Sequence, residues 1–178
     1  MTSNLSCSND LLPPELLAWL NTEGSLTASL EAKAGQPLRV ERHFEGYRLL
    51  SLAQKKQLGI QGAALSRPQL AWVREVYLYG NDELPWVQAQ SLFPLSSLQG
   101  SARRLQQLKS TPIGYVLFKR SRTLPNRRFI KHTADGWQRQ TLYDWYGRSL
   151  LISETFLPQF CEKQLDIKIN DYQIKTIE

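Results

Sequence analysis

The sequence predicts an α+β fold, a largely antiparallel sheet with helices gathered on one side. Three observations predict it. Apolar and polar residues alternate over 70–79, 127–134, 137–146 and 148–157, as strands with one buried face require. Asp135-Gly136 and Tyr146-Gly147 separate the last three runs, and consecutive hairpins mean antiparallel pairing. The clear helical patterns lie at the start of the chain and over 98–118.

In chain order, Pro13-Pro14 and Glu15 open a first helix that runs through Leu16-Leu17-Ala18-Trp19-Leu20, because proline and an acidic residue suit a helix start. Asn21 to Gly24 breaks it, and Ser25 can cap a second helix from Leu26 to Lys33. The pair resembles a DNA-reading helix-turn-helix only superficially. Its second helix holds one lysine and no arginine, which argues against groove reading. An extended run, Leu38 to Phe44, ends at Glu45-Gly46, and 49–68 reads as a short helix or a loop. Strands at 70–79 and 85–93 are joined by Gly80-Asn81-Asp82-Glu83. Leu98, Ala102, Leu105 and Leu108 predict a helix over 98–108, and Ser110-Thr111-Pro112 starts a short one from Ile113 to Phe118. After Pro158, the alternating Leu165, Ile167 and Ile169 suggest an added strand or a loose appendage. No repeat or linker divides the chain, so 1–178 is expected to be a single domain.

The net charge of +6 and a pI near 9.4 suit nucleic acid, anionic lipid or an anionic small molecule. The basic clusters are Arg103-Arg104, Lys119-Arg120-Ser121-Arg122 and Arg127-Arg128. None accompanies a zinc knuckle or an RNA-binding aromatic signature, which leaves a solvated basic surface or a field drawing in a polyanionic metabolite. No apolar run approaches the roughly 20 residues a membrane span needs. The first seven residues lack a secretion signal, so a cytoplasmic location without membrane insertion is expected. Cys7 and Cys161, with His43 and His132, make neither a disulfide framework nor a metal spacing, and no metal or cofactor is expected. Phosphate loops, a nucleophile elbow and HExxH are all missing.

Two charges sit where the strand pattern calls for apolar residues. Arg74 shares a face with Leu70, Trp72, Val76 and Leu78, and Glu154 with Leu150, Ile152 and Phe156. A charge removed from water without a partner is costly, so such residues pair or hold a ligand. Taken singly, Arg74 could pair with a nearby carboxylate and Glu154 could sit wet at a sheet edge. Glu75 is on the opposite face from Arg74 and is a poor partner for it. Together the two could line one ligand pocket.

Five blocks in order carry a family resemblance. They are Leu16-Leu17-Ala18-Trp19-Leu20 with Gly24-Ser25-Leu26-Thr27, then 72–78, Pro85 to Pro94, Lys109 to Phe118 and Leu151 to Pro158. Over about 12–158 the chain resembles the bacterial chorismate pyruvate-lyases. The resemblance implies a six-stranded antiparallel sheet whose helices cover a buried ligand, and conversion of chorismate to 4-hydroxybenzoate and pyruvate for quinone biosynthesis. It implies a monomer with no cofactor and no nucleic-acid partner. It places the ligand-contacting arginine on Arg74 and the glutamate on Glu154, with main-chain contacts at Leu26 and Ile113. Residues 25–30 and 111–118 would be lids. A guanidinium fork suits a carboxylate of this dicarboxylate substrate. Glu154 would hydrogen-bond the ring hydroxyl and assist proton movement.

Three departures stand out. Gln90 occupies the place of a basic residue of the family, which would remove a positive charge from the site's surroundings. Leu26 replaces a methionine, and 159–178 has no counterpart in the shorter members. Two rival functions remain. One is a ligand-sensing domain of the same fold, found in transcription regulators behind a winged-helix domain for which this chain has no room. The other is a binder of single-stranded nucleic acid, which needs Tyr77 and Tyr79 exposed.

Overall fold

Two three-stranded meanders, joined edge to edge, make one antiparallel sheet. The first comprises β1 (Arg39–Leu49), β2 (Leu70–Tyr79) and β3 (Val87–Pro94), and the second β4 (Asn126–Thr133), β5 (Gly136–Asp144) and β6 (Ser149–Phe156). The β3–β6 ladder joins them in the order β1-β2-β3-β6-β5-β4. The computed structural model describes residues 12–119 and 124–167. Cys7, the Arg120-Ser121-Arg122 cluster and Ile169 lie outside them.

Turn chemistry sets much of the register. Tyr146 and Gly147 both have positive φ, 56° and 74°, and Trp145 and Arg148 exchange backbone hydrogen bonds around them. That is the twist a two-residue hairpin loop needs. At the β4–β5 hairpin the loop is Ala134-Asp135, one residue earlier than the dipeptide suggests, and Gly136 pairs with Thr133. A Cβ at Gly136 would meet the Phe156 carbonyl oxygen at 2.3 Å, so glycine belongs in the strand and not in the loop.

The helices follow their local signals. In α1 (Pro14–Asn21) proline occupies the first turn. In α2 (Leu26–Ala34) Ser25 Oγ accepts from the Ala28 N–H, and Gly35 closes the helix at φ 69°. The open stretch before β2 contains α3 (Leu52–Gln57), started by a reciprocal Ser51–Gln54 capping box. Where the sequence predicts a helix over 98–108, the chain winds as 3-10 turns over Gly100–Gln107. Ala102, Leu105 and Leu108, all buried, recur every three residues, the period of a 3-10 helix. A short α4 (Gly114–Leu117) follows. Of the segment after Pro158, the described part runs to residue 167 and contains a helix where an added strand or a loose appendage is expected. Pro158 opens α5 (Pro158–Gln164), which buries Phe160 and Cys161.

One face of the sheet carries two apolar clusters. Val76, Leu78, Val87 and Phe156 pack under α1, α2 and α5. Phe93, Tyr143, Leu150 and Ile152 pack under the 3-10 turns and α4. The opposite face has a smaller cluster, Ala71, Val73, Leu92 and Leu151, with Leu50 and Leu58 beside α3. No helix among the described residues is long and apolar enough to cross a membrane.

Burial pushes the Cys161 thiol up to about 12. In a Cys7→Ser variant, a thiol reagent near pH 8, about the pKa of a free cysteine, should therefore leave the native protein unlabelled and react only once it is unfolded. Fast labelling in native buffer would contradict the packing of α5.

Candidate active site

Between the two apolar clusters a polar belt crosses the covered face. Paired residues point to the same side of a sheet, and the ladders place Glu45 opposite Arg74, Arg74 opposite Ser91, Ala89 opposite Glu154 and Glu154 opposite Arg139. Thr141 lies opposite both Ile152 and Arg128 on the same face. Arg74 is 1% exposed, Arg139 0% and Glu154 9%, and Ser91 and Thr141 are buried. Arg74, Arg128 and Arg139 face only Glu45 and Glu154, and Arg42 at the belt's exposed end lies 3.2 Å from Glu45, so positive charge is in excess.

Both charges picked out by strand periodicity are therefore in this belt, but they do not pair with each other. β3 separates their strands, so their Cα positions differ by two strand spacings, about 10 Å, and by two residues along the strand, about 7 Å. Arg74 Nε lies 3.3 Å from Glu45 Oε1. Both atoms lack an aligned hydrogen bond, so the contact is ionic in character. Burial pulls the Arg74 guanidinium below the usual arginine range. Glu45 opposes the shift, and Arg42 adds to it. Arg74 Nη2 donates to the carbonyls of Lys109 (2.8 Å) and Thr111 (3.1 Å). That edge of the guanidinium is thus engaged, and a bidentate carboxylate would have to share or displace those carbonyls.

Glu154 is in β6, an interior strand, rather than wet at an edge. Its Oε2 accepts from Arg139 Nε at 2.6 Å. Sequence reading missed Arg139, although the same pattern marks it. In β5, Trp137, Arg139, Thr141 and Tyr143 alternate toward the covered face. Arg139 Nη1 donates to the carbonyl of Thr22 (2.9 Å), and Arg128 Nη1 donates to the same carbonyl at 2.8 Å. These carbonyls close the C-terminal end of α1, where the helix dipole favours cations.

Two parts of the cover are thus tied down by belt guanidiniums. Arg74 holds the segment before α4, and Arg128 and Arg139 hold the α1–α2 connection. Leu26 opens α2 and is buried, and Ile113 immediately precedes α4 and is half-buried. The two cover segments also touch. A Cβ at Gly114 would meet Thr27 Oγ1 at 2.5 Å and Ser25 Oγ at 2.6 Å, and the Tyr115 hydroxyl donates to Glu31.

Gln90 is elsewhere. It pairs with Glu75 and Ser153 on the opposite face, where its amide donates to Glu75. A basic residue at that position would point away from the belt, so the glutamine takes no charge from it. Gln90 instead lines an open polar cavity of about 440 Å³ with Gln88, Gln138 and Thr155. Tyr79, which a base-stacking surface would need exposed, is buried and hydrogen-bonded to Glu41.

The chorismate lyase family model matches residues 5–165, seven residues earlier and seven later than the motif blocks suggest. A probable chorismate pyruvate-lyase of Psychrobacter arcticus is 89% identical over 168 residues, 94% of this chain and 100% of that protein. One from Acinetobacter baumannii is 42% identical, covering 84% of this chain and 85% of the relative. A chorismate pyruvate-lyase of Escherichia coli is 33% identical, covering 83% and 86%. Among solved structures, the ligand-binding domain of a GntR-family regulator from Bordetella bronchiseptica aligns with a TM-score of 0.49 at 13% identity, over 68% of this chain and 83% of that one.

Two expectations follow from this geometry. Gly114→Ala should wedge the two cover segments apart and lower the melting temperature by several degrees, since overpacking costs roughly 1–3 kcal/mol. An unchanged melting curve would mean that the segments do not meet. Tyr143, under the belt, has its phenol raised above the ordinary value of 10, first by burial and then by Glu154. The unfolded chain then releases this proton more readily than the folded one. The stability Tyr143 contributes is complete below pH 10 and is lost as pH rises through the higher folded value. Urea midpoints should fall above about pH 10 less steeply in Tyr143→Phe than in the parent.

Proposed function

The chain belongs to the chorismate lyase family, and we propose that it eliminates pyruvate from chorismate to give 4-hydroxybenzoate. The observation that supports this reading is the buried belt, which contains Arg74 and Glu154 and has positive charge in excess for an anionic substrate. The product 4-hydroxybenzoate would enter quinone biosynthesis.

Elimination breaks the ether bond between the ring and the enolpyruvyl side chain. The ring carbon that bears the hydroxyl gives up its proton to aromatise the ring, and the departing enolate takes up a proton to become pyruvate. Aromatisation supplies most of the driving force. The protein's task is then to orient the ring and to stabilise charge moving toward the departing oxygen. Arg74 neutralises a substrate carboxylate, a role suited to a guanidinium already desolvated. Glu154 hydrogen-bonds the ring hydroxyl and assists proton movement. Leu26 and Ile113, at the starts of two cover helices, contribute main-chain contacts that hold the ring. Because Arg74 and Arg139 are almost without exposed surface, substrate reaches the belt when the cover lifts, and product leaves the same way. Residues 25–30 and 111–118 are the lids, and their opening sets the rate of product release.

Incubation of the purified protein with chorismate should yield 4-hydroxybenzoate, followed by absorbance, and an equal amount of pyruvate, followed with a coupled dehydrogenase. Absence of both products removes the proposal. Arg74→Ala should lower kcat/KM by an amount equivalent to about 2–5 kcal/mol, the cost of breaking a buried charged contact. Glu154→Gln keeps shape while removing charge, and full activity in that variant would eliminate proton chemistry at this position.

A further inference from the structure

We propose that Arg139 is a positioning residue, which sets the Glu154 carboxylate for the reaction by holding it to the docked α1–α2 cover. This inference rests on the lyase reading. Arg139 has no exposed surface, and its three nitrogens are in different situations. Nε donates to Glu154 Oε2 at 2.6 Å, and Nη1 donates to the Thr22 carbonyl at 2.9 Å and the Trp19 carbonyl at 3.4 Å. Nη2 is buried with no hydrogen-bond partner among the described residues.

A buried guanidinium with an unsatisfied N–H pair is an expensive choice if the aim is only to fasten a helix. Arg128 shows the cheaper solution beside it. Its Nη1 reaches the Leu20 and Thr22 carbonyls while its Nε donates to the neutral Thr141 hydroxyl, and it forms no ion pair among the described residues. The fastening is therefore already provided. What Arg139 adds is the link to Glu154. Its planar fork fixes the carboxylate's position relative to the cover, so that Glu154 is correctly aimed when the α1–α2 connection is seated. A lysine at this position would keep the charge but has a single nitrogen, and cannot hold the carboxylate and the carbonyl in one rigid plane.

Activity through another residue appears in a double-mutant cycle. Arg139→Gln should lower kcat by about 10²-fold, the cost of a small misplacement of a reacting group, with KM changed less than about threefold. Arg139→Lys should recover part of that loss. On a Glu154→Gln background the same Arg139→Gln change should cost little further, because the group it positions has already lost its charge. Arg128→Gln, which loosens the same carbonyls without touching Glu154, should give losses that multiply with those of Glu154→Gln.

Equal losses from Arg139→Gln on both backgrounds would overturn the proposal, as would an unchanged kcat. Should Arg139→Gln fail to fold, the cycle is run with Arg139→Lys. A loss of about tenfold that vanishes on the Glu154→Gln background supports the proposal, and one that persists overturns it. Thermal melts of each variant identify loss through unfolding alone. Failure of the parent protein to make 4-hydroxybenzoate would sink the lyase reading. A multiplicative cycle in an active parent would sink only the role of Arg139.

Discussion

Burial of guanidinium groups between two apolar clusters is the constraint on which the rest of this structure depends. An arginine cannot shed its charge inside a protein, so each buried guanidinium needs acceptors arranged around it. Arg74 finds Glu45 and the carbonyls of Lys109 and Thr111, and Arg139 finds Glu154 and the carbonyls at the end of α1. Most of those acceptors are main-chain atoms of the covering segments. Satisfying the charges and docking those segments on the sheet are thus the same event.

That coupling explains the division of the covered face. The apolar clusters under α1, α2 and α5 at one end, and under the 3-10 turns and α4 at the other, give the sheet its hydrophobic stabilisation. The belt between them contributes less to stability, since buried ion pairs roughly offset their own desolvation. It is a charged strip largely removed from water, where electrostatic interactions are strong. Its cover is held by a few hydrogen bonds and small contacts, such as those between Gly114 and Thr27 and between Tyr115 and Glu31.

The two sheet faces also separate residues that adjoin in sequence. Arg74 and Glu75 are consecutive, yet the first enters the belt and the second pairs with Arg48 and Gln90 across the sheet. A one-residue alternation is enough to make Gln90 a groove residue and Ser91 a belt residue. Substitutions in this sheet consequently have face-specific effects, and proximity in sequence says little about proximity to the chemistry.

Strand periodicity and turn residues were sufficient to predict the antiparallel sheet, the α1–α2 pair and the charged positions Arg74 and Glu154, because these depend on local patterns of burial. The family blocks added Leu26 and Ile113. Local pattern did not show which charges pair. Glu45 sits at the end of an apolar-poor run, and Arg139, although it alternates with Trp137, Thr141 and Tyr143, meets Glu154 only when strands distant in sequence are set side by side. Winding of 98–108 into 3-10 turns and folding of 158–164 into a helix were likewise decided by the clusters they cover, since short segments take the conformation that best buries their apolar side chains. Sequence alone marked Arg74 and Glu154 as buried charges, because alternation in a strand is local. Tertiary structure brought in Arg139 and decided what each charge would hold, because the partners come from other strands and from the covering segments.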